Sequence, residues 1–201
     1  MILFFMLHFN LTKQMYDKLV WAGTDMSAEK LENYWHWHAK IITFGRTNCV
    51  LAVEEESRYV IVMLGLKKAD LKDFKKHFMI ELDNHLRVMF MYSDKSVQEK
   101  LRTFMAELWD DISYSKPISR SVIAHMTQME YEIDSFCHRK LGDYLPSSNI
   151  ELQTMCHDLN EHLRSLGKKH DYHIPMDRFR NKVLELIGAE FNNVVQIDDF
   201  R

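Results

Sequence analysis

Long apolar runs, paired cysteines and turn-forming residues are all scarce in this sequence. No stretch approaches the roughly 20 apolar residues that a membrane-spanning helix needs, so we expect no membrane span. The three cysteines are odd in number and form no CxxC motif, which argues against a disulfide scaffold and for reduced thiols in a cytoplasmic protein. Six glycines and three prolines indicate regular elements joined by short connections.

A strong charge of either sign is also lacking. The 26 lysines and arginines nearly balance the 29 aspartates and glutamates, leaving a formal net charge of −3. This balance argues against a strongly electrostatic nucleic-acid binder, although it allows a local basic patch. The hydrophobic fraction of 46% is typical of a folded globular protein. We predict a single domain over residues 1–201, with a sheet-rich part at about 1–90 and a helical part at about 91–190.

Short runs of β-branched and aromatic residues predict an antiparallel meander in the first half. The runs extend from Tyr34 to Phe44, from Cys49 to Val53 and from Arg58 to Leu64, with turns between them. Residues 60–64 are apolar on both faces, which predicts a central strand that is covered on each side. The apolar residues at the N-terminus predict one further strand.

Helical periodicity dominates after Gly65. Apolar stripes predict helices at about 71–89, 97–112, 122–137, 148–166 and 175–187, besides a short early helix at about 12–21. Ser113 to Pro117 interrupts the pattern, and Gly167 and Pro175 mark a helix stop and a helix start. The predicted fold class is therefore α+β, a small antiparallel meander packed with helices and followed by a mostly helical C-terminal half.

An ordered series of short motifs carries a resemblance to a known family. The series is Trp37-His38-Ala39, Arg46, Cys49, Ser57-Arg58-Tyr59, Gly65-Leu66-Lys67, Asp70-Leu71, Arg120-Ser121-Val122, Met126 and Asp171-Tyr172. It resembles a bacterial family described only as a domain of unknown function, which is found alone or in front of a plasmid open-reading-frame-three domain. The resemblance covers about Met6 to Glu190. It implies a fold and a bacterial, mobile-element or phage context, and it implies no activity.

Two histidines and two tryptophans alternate from Trp35 to His38. On a strand, this alternation puts both tryptophans on one face and both histidines on the other. His36 and His38 are therefore candidate metal ligands, because neutral imidazoles at this spacing suit Zn²⁺ or Ni²⁺. A third ligand would come from His170 or His173. The alternative is a core tryptophan pair backed by two histidines on a partly wet face.

The segment before the last predicted helix is locally basic. Lysines, histidines and an aromatic residue lie together there: Lys168, Lys169, His170, Tyr172 and His173. Further cations flank them: Arg164, Arg178, Arg180 and Lys182. This composition can bind phosphate and stack a base, and it can equally be a solvated connection. The candidate binding residues are those of the segment together with Arg178, Arg46 and Arg120.

No catalytic or cofactor motif is present, and we predict no catalytic residue and no cofactor. The glycines stand singly, so no phosphate-cradling loop exists. The leading hypothesis is a non-enzymatic interaction or regulatory protein whose partner is another protein, with self-association as an option. One alternative is a nucleic-acid or nucleotide-directed protein that uses the basic residues 164–182. The other is a metal-dependent protein that uses His36 and His38.

Overall fold

A five-stranded sheet with helices on both faces forms the body of the protein. The computed structural model describes residues 6–23, 34–108, 112–116, 119–165 and 172–189. The strands are β1 (Met6–Leu11), β2 (Tyr34–Phe44), β3 (Thr47–Glu54), β4 (Val60–Leu64), β5 (Ile112–Ser115), β6 (Arg164–Ser165) and β7 (Tyr172–His173). The helices are α1 (Lys13–Ala22), α2 (Lys68–Lys72), α3 (Phe74–Met89), α4 (Lys95–Leu108), α5 (Arg120–Leu141), α6 (Asn149–Glu161) and α7 (Pro175–Leu186). The predicted α+β class is confirmed.

The order of the large sheet is β4-β3-β2-β1-β5. Strands β2, β3 and β4 pair antiparallel, as the meander prediction requires. Strand β1 runs parallel to both of its neighbours, β2 and β5, so the complete sheet is mixed. A parallel pair needs a crossover connection, and α1 lies between β1 and β2 in the chain.

Strand β5 lies where the sequence pattern predicted a helix end and an interruption. Helix α4 ends at Leu108, and Ile112 belongs to a four-residue strand that pairs with β1. A segment this short carries too little periodicity to identify a strand. Its conformation depends on pairing with a strand about one hundred residues earlier in the chain.

Strand β4 is covered on both faces as predicted, but it is an edge strand and not a central one. Its side chains divide between the two faces, with Val60 and Val62 on one and Ile61 and Met63 on the other. The side chain of Asn160 on α6 takes the place of a further strand at Val60. The Val60 N–H donates to Asn160 Oδ1 at 2.8 Å, and Asn160 Nδ2 donates to the Val60 carbonyl at 2.9 Å.

The two faces of the sheet hold two separate cores. On one face α1, α2, α3, α4 and α7 pack over an aromatic cluster that contains Phe9, Trp35, Trp37, Phe78 and Phe179. On the other face α5 and α6 bury the predicted helical stripes, including Val122, Met126, Met129, Leu152 and Met155. Among the residues described above, no helix combines the length and the apolar character that a bilayer crossing demands.

Helix α6 is shorter than its apolar stripe predicted. It ends at Glu161, whereas the stripe continued to Leu166. Arg164 and Ser165 instead pair with Tyr172 and His173 as a two-stranded ribbon. Tertiary contacts explain the early end of α6, because the Arg164 side chain is bound by Glu132 on α5. Gly167, the predicted stop, lies outside the described residues.

Candidate functional site

A cavity of about 650 Å³ opens at the end of the sheet where β2 begins and β3 ends. We call it the histidine cleft, and its lining residues are Asn10, Tyr34, Trp35, His36, His38, Glu54, Glu55, Glu56, Ser119, Lys182 and Leu186. The polar groups come from β1, β2, the β3–β4 turn, the start of α5 and helix α7. The topology therefore brings together residues that are far apart in the sequence.

The alternation along β2 is the one predicted from the sequence. Trp35 and Trp37 are buried in the aromatic core, with their rings 5.4 Å apart. His36 and His38 project from the opposite face, where the His36 side chain is 43% exposed and the His38 side chain only 2%. The prediction that the two histidines share a face is confirmed.

Glu55 lies against both histidines of β2. Its Oε2 atom is 3.6 Å from His38 Nε2 and 3.9 Å from His36 Nδ1. Burial lowers the pKa of His38 to about 4, although the Glu55 charge opposes this shift. His38 is therefore neutral at pH 7, and it does not neutralise the Glu55 carboxylate. Neither His38 ring nitrogen has a hydrogen-bond partner among the described residues.

A third imidazole, that of His8 on β1, adjoins the pair. His8 lies opposite His36 in the parallel register, and the two rings are 5.3 Å apart. The Ser115 hydroxyl donates its single hydrogen to Asn10 Oδ1. Its oxygen must therefore accept from His8 Nε2–H, at 3.0 Å. His8 Nδ1 then accepts from the Ser113 hydroxyl at 2.5 Å. Burial is the main cause that lowers the pKa of His8, and this network suits its neutral form.

Sequence reasoning did not include His8 in the site. It stands alone in a short apolar strand, and its place beside His36 depends on the β1–β2 pairing. The one available signal was its alternation with the apolar residues Leu7 and Phe9, which puts it on the opposite face from them.

Glu54 fixes the turn that carries Glu55. The Glu54 side chain is buried, and burial raises its pKa. Its Oε1 accepts from the Trp35 indole at 3.2 Å. Its Oε2 accepts from the Glu56 N–H at 3.1 Å, and from the backbone N–H and the hydroxyl of Ser57, each at 2.6 Å. This set of hydrogen bonds holds Glu55 at the cleft.

Arg58 follows in the same turn, with a left-handed backbone at φ 63°. This conformation delays the start of β4 to Val60, two residues later than predicted. The guanidinium is nearly buried; its Nη2 donates to Ser121 Oγ at 3.1 Å, while Nη1 has no hydrogen bond among the described residues. The Arg58 carbonyl accepts from His125 Nε2 at 3.1 Å. Burial lowers the pKa of Arg58.

The structure does not place His173, one of the two predicted third metal ligands, in a metal site with His36 and His38. His173 Nε2 donates to the Ser57 carbonyl at 2.9 Å, and His170 lies outside the described residues. Within the described ranges, no group of three or more His, Cys, Asp or Glu side chains is arranged to hold a metal ion.

The predicted basic segment is only partly described. Lys168, Lys169 and His170 lie outside the described residues. Tyr172 is 62% exposed on β7. Arg164 is nearly buried, and its guanidinium makes a two-point ion pair with Glu132 on α5 at 2.5 and 2.6 Å. Arg164 is accordingly committed to the core of the protein.

The other predicted cations differ in their surroundings. On α7, Lys182 pairs with Glu56 at 3.1 Å and Arg180 with Asp177 at 3.7 Å, while Arg178 lies on the same helix. Arg46 is exposed in the β2–β3 turn, at the far end of β2 from the cleft. Arg120 opens α5 directly after Ser119, which lines the cleft. The structure thus brings Arg120 near the cleft and leaves Arg46 away from it.

Comparison with known proteins gives a family but no activity. No curated protein matches this chain. A family model described as "Domain of unknown function (DUF6933)" matches residues 8–178, most of the chain, including the three histidines and the turn that carries Glu55. The chain therefore belongs to this family of unknown function.

Proposed function

We propose that the protein is a non-enzymatic binding protein whose histidine cleft takes a positively charged side chain of a protein partner. The observation that carries this proposal is the Glu55 carboxylate. It lines the cleft, it is 41% exposed, and its contacts there are two imidazoles. Among the described residues, no lysine or arginine lies within ion-pair distance of it. The Arg58 guanidinium attracts Glu55 from beyond ion-pair distance and donates to Ser121 instead. A cation brought by a partner would supply a counter-charge in direct contact with the carboxylate.

The groups around Glu55 suit a lysine or an arginine. The neutral imidazole of His38 offers one acceptor nitrogen to an N–H donor. The Tyr34 ring lies 5.8 Å from the His36 ring, and an aromatic face attracts a cation. Arginine carries five N–H donors in a planar fork and can satisfy several of these acceptors together.

The lowered pKa values of His38 and His8 favour a binding role for these two residues over acid–base catalysis. A general base works best when its pKa lies near the operating pH. Burial holds the pKa of His38 at about 4, and it lowers the pKa of His8 as well. His8 is also committed to two serine hydroxyls. These histidines act better as fixed neutral hydrogen-bonding groups than as proton carriers.

Matched peptide probes test the proposal. A library of short peptides with a central arginine or lysine is screened against the protein, beside the same peptides carrying citrulline or acetyl-lysine. We expect the best cationic peptides to bind at least tenfold more tightly than their neutral counterparts. Glu55→Gln should remove this preference, since it deletes the charge and keeps the shape.

Glu99→Gln is the matched control, because Glu99 is exposed on α4 and outside the cleft lining. It should bind the peptides as the wild type does. Equal binding of citrulline and arginine peptides would contradict the proposal, as would an unchanged affinity in Glu55→Gln.

The cellular context is a further part of the proposal. The resemblance described above supports a bacterial origin near mobile-element or phage genes, which inspection of the neighbouring genes tests. Three free and buried cysteines, Cys49, Cys137 and Cys156, support a reducing compartment such as the cytoplasm. Cell fractionation tests the location, and recovery outside the cytoplasm would contradict it.

A further inference from the structure

A second cavity, of about 230 Å³, lies where α3, α6 and α7 meet beside β4. Its apolar and aromatic lining consists of Tyr59, Val88, Met89, Tyr92 and Met176. Its polar lining consists of His85, Gln153, His157 and Arg180. Most of these residues do not belong to the histidine cleft or to the motifs that the sequence singled out. The cavity therefore calls for an explanation of its own.

The hydrogen bond between the buried side chains of Tyr59 and His85 determines the tautomer of His85, and therefore whether its Nε2 carries a hydrogen. Tyr59 Oη lies 2.9 Å from His85 Nδ1. Burial raises the pKa of Tyr59 and lowers the pKa of His85 to about 4, so both groups are neutral at pH 7. A phenol that donates to Nδ1 leaves one unsatisfied group, the N–H at Nε2. The reverse assignment leaves two, the phenol hydrogen and the Nε2 lone pair. The phenol therefore donates, and His85 presents an Nε2–H.

Two donors on this cavity lack acceptors in the described part of the chain. His85 is 3% exposed, and its Nε2 has no hydrogen-bond partner. The Gln153 side-chain nitrogen is also buried without a partner. A buried polar group left unpaired destabilises the fold, so two such donors in one cavity favour the binding of an acceptor there. The Arg180 guanidinium, which can only donate, lines the same space.

We propose that this cavity binds a small monocarboxylic acid with an aromatic or aliphatic body. The carboxylate accepts from His85 and Gln153, and the body packs against Tyr59, Val88 and Met176. An apolar cavity of roughly 150 Å³ holds a benzene ring, so 230 Å³ has room for one ring and its carboxylate. This proposal is independent of the one made for the histidine cleft, because it uses other residues and another ligand charge.

Benzoate is the test ligand, and benzyl alcohol is the neutral control with the same ring. Both are titrated into the full-length ¹⁵N-labelled protein while NMR records the imidazole and side-chain amide nitrogens. We expect saturable shifts at His85 and Gln153 with benzoate, and at least tenfold weaker binding of benzyl alcohol. No shift at these groups would mean that only water occupies the cavity, and it would overturn the proposal.

Two variants locate the binding. His85→Leu and Gln153→Leu each remove one donor, and each should weaken benzoate binding at least tenfold. Gln153→Leu decides the matter if His85→Leu does not fold. Gln14→Leu, on the exposed surface of α1, is the matched control and should bind benzoate normally. Wild-type affinity in the folded donor variants would overturn the proposal.

Discussion

At the scale of single residues, one amide side chain closes an open sheet edge. Edge strands present unpaired N–H and C=O groups that invite association with other chains. Here Asn160 pairs with both backbone groups of Val60, as a neighbouring strand would. The same amide also donates to the Cys156 carbonyl at 2.7 Å, which holds its orientation. Helix α6 thus packs on the sheet and also caps its edge.

Asn160→Leu should lower the free energy of unfolding by about 2–4 kcal/mol, because two buried backbone groups lose their partners. Urea denaturation measures the change. Asn48→Leu, at an exposed position of β3, is the control and should cost less than about 0.5 kcal/mol. A similarly small loss in Asn160→Leu would show that water replaces the amide at this edge.

At the scale of the element, β4 is covered on both faces although it lies at the edge of the sheet. Its alternate side chains enter two different cores, so a single strand ties the two helical layers together. Helices α3 and α6 both contact it. Damage to β4 should therefore disturb both layers at once.

Val60→Asp should abolish soluble expression. Val60 is fully buried, so a carboxyl there loses packing and must be either charged without a partner or protonated. We expect the cost to approach the roughly 5–15 kcal/mol that stabilises an ordinary domain. Val20→Asp makes the same change at a 51% exposed position of α1 and should express normally. A folded Val60→Asp protein with the wild-type melting temperature would show that β4 opens to water.

At the scale of the whole molecule, two buried histidines and one half-buried histidine link stability to pH. Burial lowers the pKa of His38, His85 and His125, each to about 4, against an ordinary value of 6.5. The unfolded chain therefore binds more protons than the folded one between these two values. Their contribution to stability is complete above pH 6.5 and is lost as the pH falls towards 4.

The free energy of unfolding should fall between pH 7 and pH 5, although the raised pKa values of Glu54 and Glu81 oppose part of the fall. One pKa unit corresponds to about 1.4 kcal/mol, so each of the three histidines contributes a loss of about 2 kcal/mol at pH 5. His125→Gln keeps a donor for the Arg58 carbonyl and removes one titrating group, so the fall should be smaller by about that amount. Denaturation curves at both pH values measure it. Equal stability at pH 7 and pH 5 would contradict the prediction.

Local patterns of the sequence were sufficient to locate the long helices, though not all of their ends, and to assign the faces of β2. The alternation of Trp35 to His38 has a period of two, and the stripe on α5 has a helical period. Both patterns can be recognised within a single element, because each depends only on residues that are close neighbours in the chain. The same holds for the meander, whose strands are joined by short turns.

The tertiary structure decided which of these elements meet. The parallel pairing of β1 puts His8 beside His36, and the late strand β5 supplies the serines that fix its tautomer. The ion pair with Glu132 draws Arg164 out of the predicted basic surface and into the core. Such pairings join residues tens to more than a hundred positions apart, and a periodic pattern carries no information about them. The candidate site therefore follows from the sheet order, which local sequence signals do not contain.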